Sequence, residues 1–234
     1  MSSSVFHFRR FSIQQGACAM KVGIDGVLLG AWAQPGNALH ILDIGCGTGL
    51  LSLMLAQKCD VLIDAVEIDA EAARQAAINF ATSPWSERIK LYNTNIQTFV
   101  GQAMHYDYII CNPPYYQNSP HSPHTARSIA RHDSMLDTNT LLYCVGRLLT
   151  DKGHLALIIP YDGMKNFIYD AMIKQLYCNK KLIVRSKAHK TPSRVLMEFS
   201  FKEKNEPDEE EIIIHNDDGS YSNEYKKITE DYYL

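Results

Sequence analysis

Apolar and polar positions along this chain follow two alternating periodicities. Apolar runs of strand length lie at residues 39–44, 61–66, 88–93, 106–111 and 154–159. Apolar residues at helical spacing lie at residues 50–58, 70–81, 96–103, 139–149 and 162–177. Strands that alternate with helices build a mainly parallel central sheet with helices on both faces. Residues 181–185 and 195–201 predict an antiparallel strand pair at the end. The predicted fold class is α/β.

The two ends of the chain show different patterns. Residues 5–13 alternate well enough for a strand, and residues 21–33 predict a short helix capped near Asp25. The acid-rich stretch after Glu203 predicts a loop, from which residues 211–215 return as an edge strand. We expect a single domain that comprises an N-terminal extension (1–35), a main core (36–202), and an acidic loop with a C-terminal segment (203–234).

Composition narrows the class of protein. In the 234 residues no apolar run approaches the roughly 18 residues of a membrane span. Residues 1–10 lack the basic-then-apolar pattern of a signal peptide, so we expect a cytoplasmic protein without a membrane partner. Six cysteines occur without a C-x-x-C pair and are interpreted as reduced core residues. His121 and His124 have no ligands at matching spacing, so no metal is predicted.

The net charge of −3 hides an asymmetry. Residues 165–202 contain nine Lys or Arg against two acids, whereas residues 203–218 contain eight acids against one Lys. A basic face can attract phosphates even on an acidic protein. Solvated lysines beside a solvated acidic loop are the alternative interpretation.

A glycine-rich loop follows the first strand of the core, in the order Asp43-Ile44-Gly45-Cys46-Gly47-Thr48-Gly49. Glycines permit positive φ and let a ligand approach the backbone closely. The loop is not a P-loop, because no Lys-Ser/Thr follows it, and its spacing departs from the dinucleotide pattern G-x-G-x-x-G. It indicates a ligand site without naming the ligand.

Polar residues follow the next two strands. Glu67 lies 24 residues after Asp43, and a carboxylate at that strand tip can accept hydrogen bonds from both hydroxyls of a ribose. Asp69 is expected to cap the next helix. Asn95 and Ile96 at the third strand tip can bind an adenine, the amide meeting its amine and Ile96 packing on its ring. A helix cap is the alternative role for Asn95.

The fourth strand ends in Asn112-Pro113-Pro114-Tyr115. The prolines stop the strand abruptly and present Asn112 at its carboxyl end, where ligands bind in open α/β sheets. The Asn112 amide oxygen and the Pro113 carbonyl can accept both N–H bonds of an exocyclic amine, and Tyr115 offers a ring for stacking. A strand-terminating turn without chemical significance is the alternative.

Together these motifs resemble the class I S-adenosylmethionine-dependent methyltransferases that methylate amines, which have a Rossmann-like fold. Residues 11–15, 19–32 and 221–233 further resemble the bacterial tRNA1(Val) (adenine-N6)-methyltransferases, which modify adenine 37 of the anticodon loop. The resemblance implies that Lys21 and Asp25 line the methionine end of the cofactor. Asn95 departs from the Asp that is more usual in the family.

The predicted site comprises three groups of residues. Catalytic residues are Asn112, Pro113, Pro114 and Tyr115. S-adenosylmethionine contacts are Lys21, Asp25, Asp43, Gly45, Cys46, Gly47, Gly49, Glu67, Ile68, Asn95, Ile96 and Asn112. Candidate tRNA contacts are Arg127, Arg131 and His132 in the polar loop after the catalytic motif, and Lys187, Lys190 and Arg194 in the basic segment.

The predicted reaction needs no nucleophilic side chain. Asn112 and Pro113 hold the amine of adenine so that its lone pair points at the methyl group, and Tyr115 holds the unstacked base. Two alternatives are a different acceptor, either a glutamine side chain of a release factor or a guanine amine of rRNA, and a non-catalytic RNA-binding module. We expect a monomer with no obligate protein partner.

Overall fold

A computed structural model describes residues 5–16, 21–102, 104–114 and 136–234. In chain order its helices and strands are β1 (Val5–His7), β2 (Ser12–Gln14), α1 (Ile24–Trp32), β3 (His40–Ile44), α2 (Leu50–Lys58), β4 (Leu62–Glu67), α3 (Ala70–Ala81), β5 (Ile89–Asn93), α4 (Ile96–Phe99), β6 (Tyr106–Cys111), α5 (Thr138–Leu148), β7 (Leu149–Pro160), α6 (Met164–Ile173), β8 (Tyr177–Arg185), β9 (Pro192–Ser200), β10 (Asp208–Ile213) and α7 (Asn223–Thr229). Short 3₁₀ turns lie at Ser86–Arg88, Val100–Gln102 and Tyr161–Gly163.

One eight-stranded sheet organises the molecule, with strand order β10-β8-β9-β7-β6-β3-β4-β5. Strands β7, β6, β3, β4 and β5 run parallel, whereas β9 is antiparallel to both β7 and β8. This confirms the predicted α/β class, with a mainly parallel sheet and an antiparallel C-terminal pair. Strands β3 and β6 are neighbours, with Ile44 opposite Cys111, so the residues that follow them meet at one edge.

Two apolar cores lie on the two faces of this sheet. The first packs α1 and α2 against the sheet and includes Leu28, Leu53 and Ile41. The second packs α5 and α6 against the opposite face and includes Leu142 and Phe167. The five cysteines in the described part of the chain are free thiols, as predicted for reduced residues. Among the described residues, no helix has the length and apolar character needed to cross a bilayer.

The edge strand predicted at residues 211–215 is present, but it begins three residues earlier, within the acidic segment for which the sequence predicts a loop. Residues Asp208–Ile213 form β10, which pairs in parallel with β8 at the edge of the sheet. Lys181 binds Glu209 at 2.6 Å and Arg185 binds Glu211 at 2.8 Å across the two strands. The basic and acidic segments therefore neutralise each other in part, and the uniform basic face that composition suggested is reduced to fewer cations.

The N-terminal strand predicted over residues 5–13 is instead a hairpin. β1 and β2 pair antiparallel, with Val5 opposite Gln14, and form a separate two-stranded sheet. The hairpin packs on the C-terminal segment, where the Arg9 amide donates to the Tyr232 carbonyl at 2.9 Å. The Phe8 and Tyr233 rings stack with their centroids 6.0 Å apart. The two chain ends thus cover the α2 side of the core together.

Of the two predicted helix caps, one is confirmed and one is wrong. Asp69 caps α3, since its Oδ1 accepts hydrogen bonds from the amides of Glu71 at 2.8 Å and Ala72 at 2.9 Å. The predicted cap of α1 near Asp25 is wrong, because Gly23 is the N-cap residue and has no side chain to supply. Asp25 lies in the first turn of α1, where its carboxylate binds Arg194 of β9 and does not cap the helix.

Candidate cofactor and substrate site

The glycine loop between β3 and α2 has a backbone that glycine alone adopts readily. Gly45, Gly47 and Gly49 have φ values of 69°, 55° and 85°. A Cβ at Gly49 would lie 2.3 Å from Cε1 of Phe80, so α3 packs directly under the loop. A Cβ at Gly45 or Gly47 would meet no atom within 4 Å. The loop therefore has one packed face and one open face.

Glu67 at the tip of β4 braces this loop. Its Oε2 accepts a hydrogen bond from the Gly47 amide at 2.8 Å, and its Oε1 accepts one from the Asp69 amide at 2.8 Å. The residue is 8% exposed. Each carboxylate oxygen has a further lone pair, so both can still accept from the hydroxyls of a ligand.

Asp43 at the end of β3 is fully buried. Its Oδ2 accepts hydrogen bonds from the Ser52 amide at 3.1 Å and the Ser52 hydroxyl at 2.6 Å. Its Oδ1 has no hydrogen-bond partner among the described residues. Burial raises the pKa of Asp43 from 3.8 to about 7, against the opposing effect of the Ser52 hydrogen bonds. A buried carboxyl with one unpaired oxygen is suited to a donor or a cation.

The raised pKa of Asp43 predicts a pH effect on stability. The folded protein binds a proton at Asp43 more tightly than the unfolded chain, so this stabilisation is complete below about pH 4 and is lost as pH rises through about 7. Relative to the neutral variant Asp43→Asn, the free energy of unfolding should fall by about 3–4 kcal/mol between pH 4 and 8. Urea unfolding of both proteins across this range measures it. A pH-independent difference would contradict the assignment.

The third strand tip shows the capping role that was the alternative for Asn95. Asn95 is the N-cap of α4, and its Oδ1 accepts a hydrogen bond from the Gln97 amide at 2.8 Å. Ile96 is 6% exposed and packs in the second core, whereas Ile68 is 47% exposed. Of the two isoleucines predicted to touch the cofactor, Ile68 offers the larger accessible surface.

Asn112 follows β6 directly, at the edge of the sheet that also carries the glycine loop. Asn112 is half-buried, Pro113 is buried and Pro114 is exposed. The first turn of α1 approaches the amide, since a Cβ at Gly26 would lie 3.8 Å from Asn112 Nδ2. Tyr115, the last residue of the predicted catalytic motif, lies outside the described residues.

Asp25 and Arg194 bind each other. Arg194 Nε donates to Asp25 Oδ2 at 2.8 Å, and Arg194 Nη1 donates to the Ser193 carbonyl at 2.9 Å. Asp25 is a predicted cofactor contact and Arg194 a predicted RNA contact. In the structure the two side chains form an ion pair that links strand β9 to helix α1. Lys21 is exposed just before α1.

Two of the five remaining candidate RNA contacts lie in the described part of the chain, and three lie outside it. Lys187 and Lys190 lie in the turn between β8 and β9, at the same sheet edge as Asn112, because β8 runs parallel to β7 and β6. Lys187 Nζ donates to the Asp217 carbonyl at 3.0 Å. The predicted contacts Arg127, Arg131 and His132 lie outside the described residues.

Sequence reasoning missed Asn79 on α3. Its side chain is 1% exposed and hydrogen-bonds to the end of β2 and to the glycine loop. Asn79 lies on the buried face of α3 beside Ala76 and Phe80, and the sequence gives no local sign of its role, because its partners are main-chain groups far away in the sequence.

Comparison with known proteins identifies the family. A family model described as a methyltransferase small domain matches residues 26–159. The tRNA1(Val) (adenine(37)-N6)-methyltransferase of Tolumonas auensis is 42% identical, with 100% of this chain and 98% of the relative covered. The protein of the same name from Phocaeicola vulgatus is also 42% identical, with 100% and 99% covered. The chain belongs to the tRNA1(Val) (adenine(37)-N6)-methyltransferase family. This confirms the family that the motifs indicated.

Solved structures agree with this family at the level of the fold. A predicted O-methyltransferase from Agrobacterium tumefaciens superposes with a TM-score of 0.68 at 16% identity, covering 89% of this chain and 96% of that one. The family-model match begins in the first turn of α1 and ends within β7, so it contains the glycine loop, Glu67 and Asn112. The loop and strand-tip residues of the site therefore lie within the matched part of the chain, whereas Lys21, Asp25, Lys187, Lys190 and Arg194 lie outside it.

Proposed function

We propose that this protein transfers a methyl group from S-adenosylmethionine to N6 of adenine 37 in the anticodon loop of tRNA1(Val). One observation carries the proposal: Asn112 and the glycine loop follow neighbouring parallel strands, with Cys111 opposite Ile44. An acceptor for an amine thus lies beside a loop shaped for a nucleoside cofactor. The relatives that match the whole chain carry the name of this reaction.

The proposed cofactor fits the residues that are present. The open face above Gly45 and Gly47 admits a ligand to the backbone, and Glu67 can accept from ribose hydroxyls. The unpaired Oδ1 of Asp43 suits a cofactor that carries a positive charge. Lys21 and Asp25 are proposed to lie at its methionine end. When bound, S-adenosylmethionine would supply an electrophilic methyl group on a positively charged sulfur.

The protein's part in the reaction is to position the amine. The lone pair of the adenine amine is delocalised into the ring, so the nitrogen is a poor nucleophile. Asn112 Oδ1 and the Pro113 carbonyl would accept its two N–H bonds and hold its lone pair toward the methyl group. In that arrangement the N–C bond would form as the C–S bond breaks, and both acceptors would stabilise the positive charge that grows on nitrogen. The surplus N6 proton then leaves to solvent.

Methyl transfer to RNA tests the proposal. The purified protein is incubated with labelled S-adenosylmethionine and total tRNA from a strain that lacks the gene, and the nucleosides are then analysed. N6-methyladenosine at position 37 of tRNA1(Val) is expected. Label in a release factor or in rRNA would overturn the proposed substrate while keeping the reaction class, and cofactor binding without any transfer would favour a non-catalytic role.

Lys187 and Lys190 are proposed RNA contacts, and their removal predicts a change in salt dependence. Replacing both by alanine should weaken tRNA binding and reduce the slope of log Kd against log salt concentration by about 1 per lost phosphate contact. Lys152 and Lys202 are exposed near the opposite sheet edge and serve as a matched control pair. Equal slopes for the two double variants, measured by filter binding, would remove the β8–β9 turn from the RNA interface.

A further inference from the structure

Asn79 uses its whole side-chain amide to join three parts of the molecule. Its Oδ1 accepts a hydrogen bond from the Gln14 amide at 2.9 Å. Its Nδ2 donates to the Gln14 carbonyl at 3.0 Å and to the Thr48 carbonyl at 2.8 Å. Gln14 ends the N-terminal hairpin, Thr48 lies in the glycine loop, and Asn79 belongs to α3. The side chain is 1% exposed, so water does not replace these bonds.

The hydrogen bond from Asn79 to the Thr48 carbonyl restrains the middle of the glycine loop. Thr48 lies between two glycines with left-handed φ, where the backbone is not held by strand pairing, and its carbonyl accepts from the Asn79 side chain. Glu67 holds the neighbouring Gly47 amide from one side, and Asn79 holds the Thr48 carbonyl from another. Together they set the direction of the Gly47–Thr48 segment, whose open face is the proposed cofactor surface.

The hairpin that Asn79 binds is itself firmly docked. Phe11 packs edge-on against Trp85 with ring centroids 5.9 Å apart. The side-chain oxygen of Gln15 accepts a hydrogen bond from the Val22 amide at 2.8 Å, just before α1 begins. The hairpin therefore connects the C-terminal half of α3 to the segment that leads into the first turn of α1, beside Asn112.

We propose that Asn79 is a positioning residue for the glycine loop. Through Asn79, the docked N-terminal hairpin holds this loop in the conformation that binds the cofactor. This inference rests on the proposed use of S-adenosylmethionine. It does not depend on which RNA or protein accepts the methyl group. Asn79 is not expected to touch the cofactor, since all three of its bonds go to main-chain groups of the protein.

The variant Asn79→Asp tests this role with almost no change in size. At a pH at which the new carboxyl is ionised, it replaces the NH₂ donor by an oxygen that faces two carbonyls, so the loop loses its anchor. The Kd for S-adenosylmethionine, measured by calorimetry, should rise about ten-fold, which is the effect of one lost buried hydrogen bond. At saturating cofactor, kcat and the KM for tRNA should stay within about two- to three-fold of the parent enzyme.

Hydrogen exchange of the unliganded protein gives a second readout. The amides of Gly47 and Gly49 donate to Glu67 Oε2 and to the Cys46 carbonyl. In Asn79→Asp both amides should exchange faster, because the loop opens more often. This measurement needs neither cofactor nor RNA.

Asn179 provides a matched control. Its Nδ2 donates to Ser200 Oγ and to the Lys202 carbonyl, both at 2.8 Å, and its Oδ1 accepts from the Lys204 amide at 3.0 Å. Like Asn79, it donates two hydrogen bonds and accepts one, but it lies at the start of β8, on the opposite edge of the sheet. Asn179→Asp should also lower Tm, yet it should leave the cofactor Kd and the exchange of the loop amides unchanged.

The outcomes separate this inference from the proposed function. Equal cofactor affinity in Asn79→Asp and the parent, or an equal loss in both Asp variants at a temperature where each is folded, would overturn the positioning role. Cofactor binding without tRNA methylation by the parent would overturn the substrate assignment alone. No binding of S-adenosylmethionine by the parent would overturn both proposals.

Discussion

Asn112→Ala is expected to lower kcat by about 10²- to 10³-fold while changing the cofactor Kd by less than about three-fold. The side chain follows β6 at the shared edge of the sheet, and alanine removes one of the two acceptors proposed for the adenine amine. Without it the amine is held by one hydrogen bond and rotates, and the growing charge on nitrogen loses its nearest stabilising oxygen. Single-turnover methylation of tRNA and calorimetry with S-adenosylmethionine measure the two quantities.

Asn112→Asp is the control for this prediction. The carboxylate has nearly the same shape and keeps an oxygen acceptor, so it should retain clearly more activity than Asn112→Ala. Thermal unfolding of both variants tests whether the fold tolerates the change, since Asn112 lies against the first turn of α1 near Gly26. Normal turnover by Asn112→Ala would refute the role assigned to the residue. Equal loss in both variants would show that neither the side-chain shape nor an oxygen acceptor is sufficient, and the NH₂ group of the amide would then carry the effect.

Local pattern was sufficient for the central part of the fold. The helices predicted at residues 50–58 and 70–81 have these bounds in the structure, because apolar periodicity and the Asp69 cap coincide there. The strand predicted at 106–111 also has these bounds, since the prolines after Asn112 end it. Where several local signals point the same way, sequence alone determines the element.

The ends of the chain depend on distant partners and were predicted less well. The turn of the N-terminal hairpin, Phe8-Arg9-Arg10-Phe11, contains none of the residues that favour tight turns, and it is stabilised by packing on Tyr233. Strand β10 begins with four consecutive acids, a poor local sequence for a strand. It forms beside β8 because Lys181 and Arg185 supply the opposite charges.

The candidate site likewise contains residues that local sequence predicts and contacts that it does not. Glycine spacing and polar strand tips place Asp43, Glu67 and Asn112 at one edge, because parallel strands end together. The Arg194–Asp25 ion pair joins residues 169 positions apart, and Asn79 reaches Gln14 across 65 positions. No local pattern encodes such contacts, since they depend on how finished elements pack against each other.

Glu67→Gln is expected to raise the Kd for S-adenosylmethionine by about 100-fold. Both Glu67 oxygens accept from main-chain amides, Oε2 from Gly47 and Oε1 from Asp69. In either orientation of a glutamine amide, its NH₂ group would face one of these N–H donors. The glycine loop would lose a brace, and an acceptor of the proposed ribose hydroxyls would be lost with it. Two such losses at about 1–2 kcal/mol each give the expected factor.

Asp64→Asn is the matched control for Glu67→Gln, because it changes an acid to its amide on the same strand, away from the tip. Asp64 Oδ2 accepts a hydrogen bond from the Tyr106 hydroxyl at 2.7 Å, which an amide oxygen can still do. We expect an unchanged cofactor Kd for Asp64→Asn, and a similar kcat at saturating cofactor for both variants, since neither residue is proposed to touch adenine. A Kd near the parent value in Glu67→Gln would show that neither the brace nor the carboxylate itself contributes to cofactor affinity. The ribose contact would then have to come from another strand tip.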